Sequence, residues 1–141
     1  MPRAPIRAGI VLLFLAAGWA AAPIAIAAPS TVPQGPSASE FLKRGLKAQK
    51  ESRWKDAMQD YRSALVLFRR NNEDENEADA LNNIGVIHKL QGRYGKAMEF
   101  YEKSLEIKKR LGDRAGMATT YTGIGNLHDR QGLYDRAMEF Y

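Results

Sequence analysis

The stretch LNNIGVIHKLQGRYGKAMEFY, residues 81–101, is written again forty residues later as YTGIGNLHDRQGLYDRAMEFY, residues 121–141. The two align without a gap, and 11 of the 21 positions are identical. Residues 41–61, FLKRGLKAQKESRWKDAMQDY, are a worn copy in the same register. A fixed period of this kind is the mark of a repeat architecture. Stacked repeats build surfaces more often than they build active sites.

The middle copy shows what one unit is. Leu81, Ile84, Gly85 and His88 fall at i, i+3, i+4 and i+7, one face of a helix. Gln91-Gly92-Arg93 interrupts it, with Gly92 suited to the left-handed residue that ends a helix. Tyr94, Ala97, Met98, Tyr101 and Leu105 then mark the buried stripe of a second helix, about Tyr94–Leu111, roughly 27 Å long at 1.5 Å per residue. Gly112 is placed to end that helix and Asp113 to cap the next. Asn72 takes the place of Gly112 one unit earlier, asparagine being the commonest substitute in that conformation. Lys108, Lys109 and Arg110, like Arg69 and Arg70, complement the negative end of the helix dipole.

Certain positions are small or aromatic in every copy. Gly45, Gly85 and Gly125 recur in the first helix, and Ala57, Ala97 and Ala137 in the second. A mid-helix glycine costs about 1 kcal/mol against alanine, so its repeated use implies close approach of the two helices. Tyr61, Tyr101 and Tyr141, with Trp54, Tyr94 and Tyr134 at the turn, are expected to fill the volume beside the crossing.

These residues resemble the tetratricopeptide repeat. The small glycine of the first helix, the turn pattern G-x-Y-x-x-A (Gly92, Tyr94, Ala97; Gly132, Tyr134, Ala137) and the aromatic four residues on carry the likeness over Ser39–Tyr141. The spacing is forty rather than thirty-four residues. The proline that often closes the family's second helix is missing, with Arg69 and Lys109 near its place. Forty-odd-residue variants occur in kinesin light chains and bacterial signalling proteins. The first copy also departs, with Arg44 where Ile84 and Ile124 stand and Ser52 where the glycine stands, as expected of an end unit. The resemblance implies an all-α, right-handed superhelical array of helix–turn–helix hairpins that binds proteins.

Ahead of the repeats the composition changes. Met1–Arg7 is basic, Ala8–Ala22 is apolar and uncharged, and AIAAPS follows, the layout of a secretory signal peptide with cleavage expected after Ala27. An uncleaved membrane anchor is the competing reading, since Ala8–Ala28 approaches the ~20 residues a bilayer requires. Residues 28–38 read as a flexible Pro/Ser-rich linker and 39–141 as about two and a half repeats. The chain is thus expected to be exported, periplasmic or extracellular, meeting a membrane only if the leader is retained. Tyr141 falls within the third unit's second helix, so a fragment of a longer array is expected.

Chemistry finds little purchase. There is no cysteine, which excludes disulfides and thiolate catalysis. The net charge of +5 includes Arg3 and Arg7, and the remaining charges are intermixed, so nucleic acid is not an expected partner. His88 and His128 hold equivalent places. Units stacked ~10 Å apart would keep the rings too far from each other to share one ion, so both are read as packing residues. Glu73–Asp79 (EDENEAD) lacks a calcium-loop pattern and reads as a solvated turn. Neither a cofactor nor a catalytic group is expected.

In the family the first helix of each unit lines a concave groove, where asparagines often hold the backbone of an extended peptide. The resemblance assigns Asn83 and Asn126 to matching places in that groove, with Asn82, Lys89, Asp129 and Arg130 as neighbours. Asparagine offers both a donor and an acceptor to a peptide amide. The same residues would equally make an ordinary solvated helix face. The set by which some relatives hold a C-terminal carboxylate is absent, since Leu42 and Leu46 stand where polar groups would be needed. The expected role is a protein-binding scaffold. The alternatives are the N-terminal regulatory arm of a larger protein, such as one with a caspase-like protease domain, and a membrane-anchored envelope assembly factor.

Overall fold

A computed structural model describes residues 35–141, which form six helices and no strand. The leader and the linker up to residue 34 lie outside the described residues. The helices are α1 (Ala38–Lys50), α2 (Trp54–Asn71), α3 (Asp74–Leu90), α4 (Tyr94–Leu111), α5 (Arg114–Arg130) and α6 (Tyr134–Met138). They pair as three hairpins, α1/α2, α3/α4 and α5/α6, stacked so that α2 packs on α3 and α4 on α5.

The start of α1 is set by a reciprocal cap. Ser37 Oγ accepts from the Glu40 amide at 3.2 Å, and Glu40 Oε2 accepts from the Ser37 amide at 2.6 Å. This satisfies two otherwise orphaned donors and begins the helix at Ala38, the last position read from the sequence as linker. The Ser37 bonds also hold the Glu40 carboxyl below the usual carboxylate range.

Five helix ends share one geometry. Among the described residues those with positive φ are Ser52 (57°), Asn72 (57°), Gly92 (71°), Gly112 (69°) and Gly132 (74°), spaced twenty residues apart. At each, the next amide reaches back to the carbonyl five residues earlier: Arg53 to Ala48, Glu73 to Phe68, Arg93 to His88, Asp113 to Lys108 and Leu133 to His128, at 2.8–2.9 Å. This is the six-to-one bond of a Schellman ending, which needs a left-handed residue at its centre. The forty-residue unit is therefore two twenty-residue steps of helix plus turn, and Ser52 bears that conformation where later units use glycine. After the fourth ending, Asp113 caps α5 by accepting from the Gly116 amide at 2.8 Å.

Burial follows the expected stripes. In α2 it runs through Ala57, Tyr61, Ala64, Leu65 and Phe68, and in α4 through Ala97, Tyr101, Ser104, Leu105 and Lys108. α3 is buried more widely, adding Ala78, Ala80 and Ile87 to Leu81, Ile84 and His88, because it is packed by both α2 and α4. Each fully buried leucine or isoleucine here contributes on the order of 1.5–3 kcal/mol.

Two charged features differ from their reading in the sequence. Lys108 is not a solvated dipole partner. It is 2% exposed, its Nζ 2.9 Å from Asp79 Oδ1 and 3.4 Å from the Gly116 carbonyl. The acidic start of α3 is likewise no free turn: Asp74 pairs with Arg110 at 2.9 Å and Glu77 with Arg69 at 2.7 Å, so α3 is tied to the basic ends of α2 and α4.

Candidate partner-binding face

At 100° per residue, Asn82, Asn83, Val86, Lys89 and Leu90 share one side of α3, while Leu81, Ile84 and His88 point to the other. The corresponding side of α5 carries Thr122, Gly123, Asn126, Asp129 and Arg130. Asn83 and Asn126 are not equivalent positions: they stand forty-three residues apart. The counterpart of Asn83 is Gly123, and that of Asn126 is Val86. They lie on the same stripe, one helical turn out of step.

The six candidate residues differ in how free they are. Asn126, Asp129 and Arg130 are exposed, and Asn82, Asn83 and Lys89 are half-buried. Asn82 Oδ1 is buried without a hydrogen-bond partner. Burial lowers the Lys89 pKa below the ordinary lysine value, and the positive charge of Arg130 lowers it further. The structure thus sets two cations of successive units near one another on this face. On α1 the same side carries Leu42, Lys43, Leu46, Gln49 and Lys50, with Leu42 half-buried and Leu46 38% exposed.

Beneath this face run the repeated tyrosines. A Cβ on Gly45 would come within 2.6 Å of the Tyr61 ring, one on Gly85 within 2.9 Å of Tyr101, and one on Gly125 within 2.9 Å of Tyr141. The glycines therefore make room first for an aromatic ring. The carbonyls of Ala97 and Ala137 come next, at 3.3 Å from the Gly85 and Gly125 positions. Ala57, Ala97 and Ala137 are all buried, as are Tyr61 and Tyr101, whereas Tyr141 is 68% exposed.

The hydroxyls of the three tyrosines separate the units. Tyr61 donates to Gln49 Oε1 at 2.7 Å, and Tyr141 donates to Asn126 Oδ1 at 2.8 Å. In the middle unit the place of Gln49 is taken by Lys89, which has no acceptor to offer. The Tyr101 hydroxyl is buried and unpaired, and burial pushes its pKa up to about 12. The Tyr101 ring also reaches α5, where a Cβ on Gly123 would lie 3.1 Å from it. Nothing in the local sequence singles out Tyr101. The missing acceptor appears only when Gln49 and Lys89 are aligned through the repeat.

The two histidines sit on the opposite side. His88 and His128 are 3% and 8% exposed and stack on Phe100 and Phe140, with centroids 5.4 and 5.5 Å apart. Among the described residues no three metal-ligating side chains converge.

Hairpins stacked at a forty-residue period, with a glycine-seated tyrosine in each, define an all-helical repeat array. The chain belongs to the tetratricopeptide repeat family, whose sequence profile matches residues 41–110 and 78–141. Members of this family are typically non-catalytic scaffolds that bind proteins or peptides. No curated protein matches the chain. Among solved structures, the TPR domain of Arabidopsis FLU is similar at 24% identity and a TM-score of 0.68, over 74% of this chain and 87% of that one. BtubC (BKLC) from P. vanneervenii is similar at 24% identity and a TM-score of 0.66, over 73% of this chain. The match spans 42% of the BtubC chain. At these identities the likeness concerns the fold.

Proposed function

We propose that this protein is an exported scaffold that holds an extended segment of a partner protein along the side of α1, α3 and α5 bearing Asn82, Asn83, Lys89, Asn126, Asp129 and Arg130. The observation that carries the reading is the buried, unpaired Tyr101 hydroxyl, whose counterpart Tyr61 donates to Gln49 at the position that Lys89 holds in the middle unit. A buried donor without an acceptor costs about 1–3 kcal/mol, and the loss is recovered when a ligand supplies one. Asn82 Oδ1, also buried and unpaired, asks for a donor. A peptide backbone offers both in alternation, and Leu42 and Leu46 would take an apolar side chain at the α1 end.

Site-specific photocrosslinking in the producing cell tests this. A crosslinker at Val86 should capture a discrete partner, and one at Lys109, exposed near the end of α4, should not. The Asn83→Ala/Asn126→Ala pair should weaken that capture while leaving helicity intact. Equal capture from both crosslinker positions would remove this face from the proposal. Export rests on the leader at residues 1–27. It is tested by the mass of the mature protein, which should begin at Ala28. An intact Met1 would favour the retained anchor.

A further inference from the structure

On the opposite side of α3 from that face lies a cleft of about 630 Å³ between α2 and the α3–α4 turn. Lys55, Met58, Arg62, Val66, His88 and Arg93 line it. Its three cations are exposed and hold no carboxylate. The adjoining N-terminus of α4 has no acidic residue in its first turn and no capping side chain, which leaves its positive dipole end uncompensated. A second observation is independent of the charges: His88, 97% removed from solvent, borders the cleft with Nδ1 unpaired. Arg93, Lys96 and Arg62 all bear on its imidazole, against the single acid Glu99.

We infer that this outer cleft is a second docking site, which takes an acidic stretch of a partner polypeptide with carboxylate side chains alternating with apolar ones. Lys55 and Arg62 stand seven residues apart on α2, about 10 Å along the helix, farther than one phosphate reaches. Carboxylates two to four residues apart in an extended peptide are spaced roughly 7–13 Å, which brackets the separation of the two cations. Met58 and Val66, the latter 65% exposed, offer aliphatic surface between and beyond them. The cleft lining contains no phenylalanine, tyrosine or tryptophan on which a base would stack, and this favours a peptide over a single-stranded nucleic acid.

The test is fluorescence anisotropy of the full chain with a labelled Glu-Leu-Glu-Leu-Glu-Leu peptide at 50 and 200 mM NaCl. The peptide should bind, more weakly at the higher salt, and its lysine-for-glutamate counterpart should not. Arg62→Glu/Arg93→Glu should weaken binding about tenfold. Arg70→Glu/Lys109→Glu, the same charge change elsewhere, should leave it unaltered, as should Lys89→Glu on the other face. Peptide addition should shift the His88 imidazole resonances and not those of His128, a readout that needs no variant to fold. Loss in Lys89→Glu with none in Arg62→Glu/Arg93→Glu would move the peptide to the α1/α3/α5 face and overturn the inference. So would binding of a single-stranded oligonucleotide in place of the peptide.

Discussion

Lys108 Nζ lies 2.9 Å from Asp79 Oδ1, the lysine 2% exposed at the junction of α3, α4 and α5. One unit earlier the lysine position is Phe68 and the aspartate position is Ser39, so an apolar side chain and a neutral partner occur together there. Asp79→Ala would leave a buried ammonium with only the Gly116 carbonyl at 3.4 Å. The expected loss is about 1–3 kcal/mol, at the lower part of the range for breaking buried pairs because Asp79 is half exposed. Lys108→Met should cost much less, and combining it with Asp79→Ala should recover most of the loss. Urea unfolding of the three variants measures this; additive losses would refute the coupling.

Gly85 and Gly95 make opposite demands on an added methyl group. At Gly85 a Cβ would stand 2.9 Å from two carbons of the buried Tyr101 ring and 3.3 Å from the Ala97 carbonyl. Gly85→Ala is therefore expected to destabilise by about 1–3 kcal/mol, more than the ~1 kcal/mol that helix propensity returns. At Gly95, exposed in the first turn of α4, nothing lies within 4 Å. Gly95→Ala should raise stability by up to about 1 kcal/mol. A thermal melt that ranks the two the other way would contradict the packing account.

How far the sequence could be read depended on whether a feature repeats. The ends of α4, the left-handed Asn72, Gly92 and Gly112, and the Asp113 cap all follow from local residue chemistry recurring at a fixed interval, and the structure has them where they were expected. The Ser37–Glu40 cap was also legible as S-x-x-E, but the surrounding proline and serine masked it. The burial of Lys108 had a weaker signal, its alignment with Phe68. The candidate face was legible only as a set of polar residues. Its register was not, because Asn83 aligns with Gly123 and Asn126 with Val86. The outer cleft brings Lys55 and Arg62 beside Arg93 across two helices, a relation that no local pattern contains.

Ser52 is the serine among five left-handed helix endings, with φ at 57°. A Cβ in that region costs about 1 kcal/mol or more relative to glycine. Ser52→Gly should therefore stabilise the first hairpin, raising the melting temperature by a few degrees for an array of this size. Gly92→Ser should lower it by a similar amount. Differential scanning calorimetry on both variants decides the matter, and no change in either would mean that the endings carry no strain.

His88 makes stability depend on pH in one direction. Burial, and then the charges of Arg93, Lys96 and Arg62, lower its pKa below the ordinary histidine value, with Glu99 opposing. The unfolded chain consequently binds a proton more readily than the folded one. Stability is complete above the ordinary histidine range, near 6.5, and is lost as the pH falls below it. His88→Phe keeps a ring against Phe100 and removes the titration. Between pH 7.5 and pH 5 the wild type should lose more unfolding free energy than His88→Phe, since their shared carboxylates cancel in the comparison. Equal losses would exclude His88 as the source.

Tyr61 and Tyr101 offer the sharpest internal control, because both rings are buried against a glycine and only their hydroxyls differ. Tyr61→Phe removes the donor to Gln49 and leaves Oε1 without that partner, so a loss of about 1 kcal/mol is expected. Tyr101→Phe removes a hydroxyl that has no partner within the protein, so it should be neutral or slightly stabilising. If the α1/α3/α5 face binds its partner through that hydroxyl, Tyr101→Phe should weaken capture while stability holds. Tyr61→Phe should do the reverse, lowering stability with little effect on capture. Paired denaturation and crosslinking-yield measurements separate the two roles. A Tyr101→Phe variant as destabilised as Tyr61→Phe would show that the Tyr101 hydroxyl is already satisfied, by water, and would withdraw it from the binding face.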